Sequence, residues 1–200
     1  MYRKMAEQLR KPAGFFGRII SNMLEKGNKP LYDKLIDYMA VQPGERLFEI
    51  GYGPGVGINL IMNKFNSCTI HGIDFSELMT IKAKQKNLKF INDNKVLLEF
   101  GDFLDADIKT GGFDKVYFAN VIYFWDDIQK PFIKIYSLLR NGGSLFFYMA
   151  GKEYLEKHKH TNNDIFNKYA IEQVAETLKT AGFKNIDWSF DKGYYIKAVK

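Results

Sequence analysis

The chain has 200 residues, of which 46% are hydrophobic and 16% aromatic, so it can form one domain with a sizeable core, and wholesale disorder is excluded. The net charge is +6, and the single cysteine, Cys68, excludes a disulfide framework and favours a reducing compartment, most simply the cytoplasm. We expect neither a secretory signal nor a membrane span, because the longest apolar runs are too short to cross a bilayer.

The first predicted elements lie in residues 14–41, where the pattern favours two helices. Gly27 and Asn28 interrupt the pattern, and the chain would restart as a helix after Pro30. Apolar residues at i, i+4, i+7 and i+8 predict one buried face on the second helix. This face would consist of Leu31, Leu35, Tyr38 and Met39.

From residue 46 onward, short apolar runs alternate with longer helical patterns. This alternation predicts an α/β fold with a doubly wound, mostly parallel sheet of seven strands. The turn at 191–193 would join the last two strands into an antiparallel C-terminal hairpin. The predicted strands cover residues 46–50, 69–73, 96–100, 115–120, 145–149, 185–190 and 194–199. The predicted helices cover residues 58–65, 76–88 with Ser76 as N-cap, 126–139 ended by Asn141 and Gly142, and 171–181 ended by Gly182.

Four glycines follow the first predicted strand, at Gly51, Gly53, Gly55 and Gly57. In a doubly wound sheet the ligand lies beyond the carboxyl ends of the strands, so this turn predicts a nucleotide-like ligand. The turn does not fit the dinucleotide fingerprint G-x-G-x-x-G in either frame, and no Gly-Lys-Ser/Thr follows it as in a phosphate-binding loop.

Two acids flank the glycine turn. Glu49 lies two residues before Gly51, where it would oppose a pyrophosphate and suit a ligand with positive charge. It could also staple the loop through backbone N–H groups. Asp74 ends the second strand, 23 residues after Gly51, where a carboxylate can accept both hydroxyls of a ribose. A helix-capping role for Asp74 is the alternative, although Ser76 is better placed for it.

A third acid, Asp102, follows the third strand in the stretch EFGDF. It would accept the exocyclic amine of an adenine, with Phe75 or Phe103 against the ring. An aspartate after a strand is common in plain turns, so this signal alone is weak. Acids at the ends of three successive strands together favour one binding site.

Several motifs, in the expected order, resemble those of the class I S-adenosylmethionine-dependent methyltransferases, and more narrowly their small-molecule branch. The resemblance extends from about Arg46 to Lys200. The motifs are EIGYGPG (49–55), GIDFS (72–76), GDF (101–103), FDKVYFANVIYFW (113–125), LRNGGS (139–144) and AGF (181–183).

The resemblance implies a Rossmann-like fold and the cofactor S-adenosylmethionine, with S-adenosylhomocysteine as product. Glu49 and the turn 51–55 would hold the methionine part, Asp74 the ribose, and Asp102 the adenine. Tyr52 departs from the small residue often found inside that turn. The implied cofactor residues are Glu49, Gly51, Tyr52, Gly53, Gly55, Asp74, Phe75, Asp102, Phe103 and Asn120.

The resemblance also implies a boundary between a helical lid, residues 1–42, and the methyltransferase domain, residues 43–200. Phe15 and Phe16 would then line the acceptor pocket. Simple packing on the sheet is one alternative. Weak contact with an anionic membrane surface is another, since the first 18 residues carry five basic residues and one acidic residue.

The implied reaction is methyl transfer by in-line displacement to a small, lipid-like or aromatic acceptor, which requires orientation more than acid–base chemistry. If the acceptor arrives protonated, a general base is needed, and the candidates are Tyr123, Asp126 and Asp127. Otherwise Tyr123 is a wall residue of the acceptor pocket and the aspartates cap the next helix. The acceptor, the methylated atom and the oligomeric state stay open.

Three other functions compete with this one: an NAD(P)-dependent oxidoreductase, a non-catalytic S-adenosylmethionine-binding protein, and an RNA methyltransferase. The stretch 119–122 lacks the Asn/Asp-Pro-Pro-Tyr/Phe pattern of adenine or glutamine methylation, and no RNA-binding appendage is evident, which argues against a nucleic-acid partner. No metal site is expected, because His158 and His160 lack a third ligand, and no obligate protein partner is inferred.

Overall fold

The computed structural model describes residues 2–200, in which seven strands form a single sheet. The strands are β1 (Arg46–Ile50), β2 (Thr69–Asp74), β3 (Val96–Phe100), β4 (Phe113–Ala119), β5 (Leu139–Met149), β6 (Lys184–Phe190) and β7 (Tyr194–Val199). Their order is β3-β2-β1-β4-β5-β7-β6. The first five strands pair in parallel, and β7 is antiparallel to both β5 and β6. The predicted fold class is confirmed.

Helices cover both faces of the sheet. Those in the described residues are α1 (Tyr2–Arg10), α2 (Gly14–Met39), α3 (Val56–Lys64), α4 (Glu77–Lys86), α5 (Leu88–Asn92), α6 (Gln129–Leu138), α7 (Lys152–Lys157) and α8 (Ile171–Thr180), with a 3-10 turn at Ile122–Phe124. Helices α2 and α3 pack together on one face, and α6 and α8 on the other. No helix in this part of the chain is long and apolar enough to cross a membrane.

Two hydrophobic cores lie on the two faces because strand side chains alternate in direction. Phe48 and Phe118 point into the core beneath α6 and α8, where Phe118 stacks on Phe147 at 4.6 Å. Their neighbours Leu47 and Tyr117 point into the core beneath α2 and α3. Because a hydrophobic core covers each face of the sheet, the ends of the strands remain open to solvent or to a ligand.

The two helices predicted for residues 14–41 are one helix, α2, which continues through Pro30. A proline inside a helix costs about 3 kcal/mol. The packing of the helix on both sides of Pro30 offsets this loss, since Gly17 and Ser21 are buried before it and Leu35 and Met39 after it. The buried face also differs slightly from the prediction: it is formed by Tyr32, Leu35, Ile36 and Met39, with Leu31 and Tyr38 only partly buried.

The largest boundary error concerns the junction of α6 and β5. Helix α6 begins three residues later than predicted and ends at Leu138, and β5 begins at once at Leu139, six residues earlier than predicted. Leu139 pairs with Phe113 before the register shifts, so Gly142 lies within the irregular part of the strand and does not end the helix. Helix α1 lies within the helical segment predicted for residues 1–42, whereas α5 and α7 were not predicted as helices.

Candidate functional site

A cavity of about 140 Å³ lies at the carboxyl ends of the central strands, where doubly wound sheets bind their ligands. The sheet contributes the turns that follow β1, β2, β3 and β4. The N-terminal helices complete the wall. They contribute Leu9, Arg10, Pro12, Leu24, Asn28 and Tyr32.

Two glycines of the turn after β1 line this cavity, and both have a left-handed backbone. Gly51 has φ +67°, and a Cβ there would lie 2.6 Å from Val121 Cγ2. Gly53 has φ +53°, and a Cβ there would meet no atom within 4 Å. The backbone at Gly53 is therefore open toward the cavity.

The other two glycines of the turn serve packing instead. A Cβ on Gly55 would lie 2.9 Å from Ala83 Cβ in α4, and a Cβ on Gly57 would lie 2.4 Å from the ring of Tyr32. Gly55, predicted to contact the cofactor, lies outside the cavity lining and is the residue before α3. Gly55 and Gly57 are therefore required by close contacts with neighbouring helices.

Asp74 fixes the turn and also lines the cavity. Its Oδ2 accepts a hydrogen bond from Gly53 N, and its Oδ1 accepts one from Ser76 N, both at 2.8 Å. Burial raises the pKa of Asp74 to about 6, although these two hydrogen bonds lower it. Each carboxylate oxygen has a second lone pair, so acceptor capacity toward the cavity remains. The capping role belongs to Ser76, which accepts from Met79 N.

Glu49 lies behind the cavity wall and not on it. The carboxylate is fully buried, and it accepts hydrogen bonds from Tyr32 Oη at 2.7 Å and from Tyr117 Oη at 2.9 Å. Burial raises the pKa of Glu49 to about 7, against the lowering effect of the two tyrosines. The predicted staple to backbone N–H groups is replaced by two phenols. Tyr32 lines the cavity, so Glu49 influences the cavity by holding the Tyr32 side chain in position.

Tyr52, the departure noted in the sequence, is anchored away from the turn. Its hydroxyl donates to Glu99 O at 2.9 Å and lies 2.8 Å from Thr80 Oγ1. Its ring packs over Gly72, where a Cβ would come within 2.9 Å of Tyr52 Cδ1. The ring forms part of the cavity wall without filling the space beside Gly53.

The residues predicted around an adenine also line the cavity. Asp102 is exposed, and its Oδ1 accepts from Leu104 N at 2.8 Å, which fixes the carboxylate at the mouth. Phe103 is buried beside Trp125, with ring centroids 6.3 Å apart. Phe75 lies on the wall with Lys11 Nζ 5.5 Å from its ring.

Asn120 follows β4 and lines the cavity with a left-handed backbone, φ +59°. Its Oδ1 accepts a hydrogen bond from Tyr123 Oη at 3.1 Å. Tyr123 itself is buried, accepts a hydrogen bond from Ala150 N, and lies outside the lining. Burial raises the pKa of Tyr123 far above its ordinary value, so it remains a neutral phenol. It positions Asn120 and is placed neither as a base nor as a pocket wall.

The remaining candidates lie outside the cavity. Asp126 accepts from Asn167 Nδ2 at 3.1 Å, and Asp127 accepts from Gln129 N, at the first residue of α6, at 2.8 Å. Phe15 and Phe16 are 74% and 71% exposed on the outer face of α2, and they do not line the cavity.

The sequence prediction missed the part of the wall contributed by the N-terminal helices, chiefly Arg10, Asn28 and Tyr32. The signal available was the helical period of α2, which puts Asn28, Tyr32 and Leu35 on one face. The described residues contain no group of three metal-ligating side chains.

A seven-stranded sheet in this order, with a glycine turn after β1 and carboxylates after β2 and β3, defines a Rossmann-like nucleotide-binding domain. Residues 48–145 match the family described as "Methyltransferase domain". The chain belongs to the class I S-adenosylmethionine-dependent methyltransferases.

Curated relatives show the same domain within proteins of different length. Phosphoethanolamine N-methyltransferase 2 of Caenorhabditis elegans is 29% identical over 154 residues, which is 72% of this chain and 34% of that protein. A sterol 24-C-methyltransferase of Clavispora lusitaniae is 26% identical over 156 residues, covering 72% and 41%. The uncharacterized methyltransferase YdaC of Bacillus subtilis is 26% identical over 163 residues, covering 82% and 84%. The matched residues thus span 34% and 41% of two of these relatives and 84% of the third.

A solved structure shares the fold. Phosphoethanolamine N-methyltransferase 2 of Haemonchus contortus, in complex with S-adenosyl-L-methionine, superposes with a TM-score of 0.72 at 20% identity, covering 86% of this chain and 52% of that one.

Proposed function

We propose that the protein transfers a methyl group from S-adenosylmethionine to a small-molecule acceptor by in-line displacement. One observation carries the proposal. Gly53 presents open backbone to the cavity directly beside Asp74, whose carboxylate is held by Gly53 N and retains acceptor capacity. A zwitterionic amino-acid group and a ribose need this combination of bare backbone and a fixed carboxylate.

The chemistry of the lining fits the cofactor. Asp74 would accept the ribose hydroxyls, Asp102 the adenine amine, and the backbone at Gly51 and Gly53 would lie along the methionine part. The cavity volume of about 140 Å³ is smaller than the roughly 300–1,000 Å³ of ordinary ligand pockets. An outward movement of the wall from the N-terminal helices would enlarge the cavity when the cofactor enters, as expected of the predicted lid at residues 1–42.

S-adenosylmethionine supplies a methyl group bound to a cationic sulfur, which is a good leaving group. The protein's task is then to orient the acceptor and exclude water, worth about 7–11 kcal/mol when the reacting groups are well aligned. Asn120 lines the cavity and accepts a hydrogen bond from Tyr123, and in this proposal it would border the methionine part or the reacting centre. Phe124 and Trp125 form an aromatic wall beside it. We favour positioning over general-base catalysis, because Tyr123 and Asp126 lie outside the lining.

The acceptor is a small molecule in this proposal. The names of two relatives specify phosphoethanolamine and a sterol, which differ in size and in the atom methylated. Leu9, Leu24 and Trp125 give this cavity apolar walls, and Arg10 adds a cation. This combination favours an acceptor that has an apolar part and an acidic group. The buried free thiol of Cys68 supports a cytoplasmic location.

Calorimetric titration with S-adenosylmethionine, S-adenosylhomocysteine and NAD tests the cofactor. We expect binding of the first two, and tight binding of NAD alone would favour the oxidoreductase instead. Transfer of labelled methyl groups to a metabolite extract, compared with purified RNA, then tests the acceptor. Labelling of RNA alone would favour an RNA methyltransferase, and binding without any transfer a sensor.

A further inference from the structure

The outer face of α2 carries four exposed apolar side chains, which we call the outer stripe. They are Phe15, Phe16, Ile19 and Met23, exposed by 74%, 71%, 46% and 54%. The spacing of residues 15, 19 and 23 is i, i+4 and i+8, so they follow one line along the helix. Two neighbouring aromatic rings so open to water are unusual in a folded protein, and a continuous apolar patch marks an interaction site.

The outer stripe cannot turn inward, because the opposite face of α2 is already packed. A Cβ on Gly17 would lie 2.9 Å from Leu78 Cδ2, so α2 lies directly on α4 at this point. Lys82 Nζ donates to Asn22 Oδ1 at 2.9 Å, which ties α4 to the flank of α2. Rolling the helix to bury the outer stripe would break these contacts.

Two basic residues of α2 flank the outer stripe. Arg18 and Lys26 are both exposed, and the one acid of residues 10–26, Glu25, pairs with Lys86 of α4. Helices with aromatic and aliphatic side chains beside Lys and Arg bind in the interfacial region of anionic lipid. The charge around the outer stripe thus complements an anionic lipid surface.

We propose that the outer stripe docks the protein on an anionic lipid surface. Phe15 and Phe16 enter the acyl boundary, and Arg18 and Lys26 lie at the level of the phosphates. The other side of the same helix lines the cavity with Leu24 and Asn28. Docking would therefore place α2 between the membrane surface and the cavity. The inference does not depend on methyl transfer, because lipid binding is measured without cofactor.

Co-sedimentation with vesicles tests the proposal. We expect the protein to bind vesicles of phosphatidylglycerol mixed with phosphatidylcholine, more weakly at high salt, and not vesicles of phosphatidylcholine alone. The double variant Phe15→Ser/Phe16→Ser should lower the partition coefficient at least about tenfold, because two rings no longer leave water. Phe190→Ser is the matched control: Phe190 is 64% exposed on β6, outside the outer stripe, and its loss should change nothing.

Two further measurements separate docking from other causes. Affinity for S-adenosylhomocysteine should be the same in the double variant, which shows that the protein is folded. Arg18→Glu/Lys26→Glu should abolish the preference for anionic vesicles. Equal vesicle binding by wild type and the Phe15→Ser/Phe16→Ser variant would overturn the proposal. It would also be overturned if light scattering showed the wild type as a dimer that this variant dissolves, with no vesicle binding, since the outer stripe would then be a protein interface.

Discussion

Replacing Glu49 with Gln should change how the stability of the protein depends on pH. The carboxyl is fully buried between the hydroxyls of Tyr32 and Tyr117, and its pKa rises from 4.5 to about 7 in the folded protein. Because the folded-state pKa is raised, folding favours the protonated form. This stabilisation is complete below pH 4.5 and is lost as the pH rises through about 7.

The size of the effect follows from the shift. About 1.4 kcal/mol per pKa unit gives a loss of about 3 kcal/mol of stability across this window from Glu49 alone. The amide that replaces the carboxyl stays neutral at every pH, so Glu49→Gln removes this loss. The amide Nε2 cannot accept from a tyrosine, so one of the two hydroxyls must turn and accept a hydrogen bond instead. This mismatch lowers the stability of the variant equally at every pH.

Urea unfolding followed by circular dichroism at several pH values measures the difference. The stability of the variant relative to wild type should rise by about 3 kcal/mol between the two pKa values of Glu49. Asp74 titrates in an overlapping window, with a pKa of about 6, and its charge is one of the causes that raise the pKa of Glu49. The difference between the two proteins therefore reports the titration of Glu49 together with its coupling to Asp74. Parallel pH profiles for the two proteins would refute the reasoning. Glu153→Gln, at an exposed site of α7, should run parallel to wild type.

Three other substitutions probe the site. Asp74→Ala should weaken binding of S-adenosylhomocysteine by roughly 2–5 kcal/mol in calorimetry, and an unchanged affinity would mean that Asp74 does not bind ribose. Tyr123→Phe should lower kcat, because Tyr123 orients Asn120. The affinity for S-adenosylhomocysteine and the shape of the pH–rate profile should not change, because Tyr123 transfers no proton. Loss of the pH dependence of the rate at high pH would contradict this. Ser76→Ala should lower stability by about 0.5–2 kcal/mol in urea unfolding. It should also speed proteolysis near Pro12, whose carbonyl accepts a hydrogen bond from Ser76 Oγ at 2.7 Å. Unchanged cleavage there would show that this hydrogen bond does not hold the segment around Pro12 in place.

The strands were predictable from sequence because their signals are local. Residues 46–50 and 96–100 are short apolar runs between turn residues, and the structure has strands with these bounds. The continuous helix through Pro30 and the early start of β5 at Leu139 depend on contacts between distant elements. Local rules place a break at Pro30, but packing on both sides outweighs it.

The candidate site likewise has features that the sequence predicts and features that depend on contacts between distant elements. Asp74 beside the glycine turn follows from the order of parallel strands, whose carboxyl ends meet at one edge. The hydrogen-bond partners of Glu49 could not be predicted in this way, because Tyr32 lies 17 residues before Glu49 and Tyr117 lies 68 residues after it. The position of Phe15 and Phe16 outside the cavity depends on which side of α2 meets α4. Composition alone cannot decide that.

Pro30 lies between the part of α2 that contributes Leu24 and Asn28 to the cavity wall and the part that contributes Leu35 and Met39 to the hydrophobic core. Proline has no N–H, so the carbonyl of Lys26 lacks its helical hydrogen bond, and a helix bends more easily at such a point. Leu35 and Met39 can then stay seated on the sheet while the preceding turns swing outward. This property of α2 supports the proposal that the wall from the N-terminal helices moves outward when the cofactor enters.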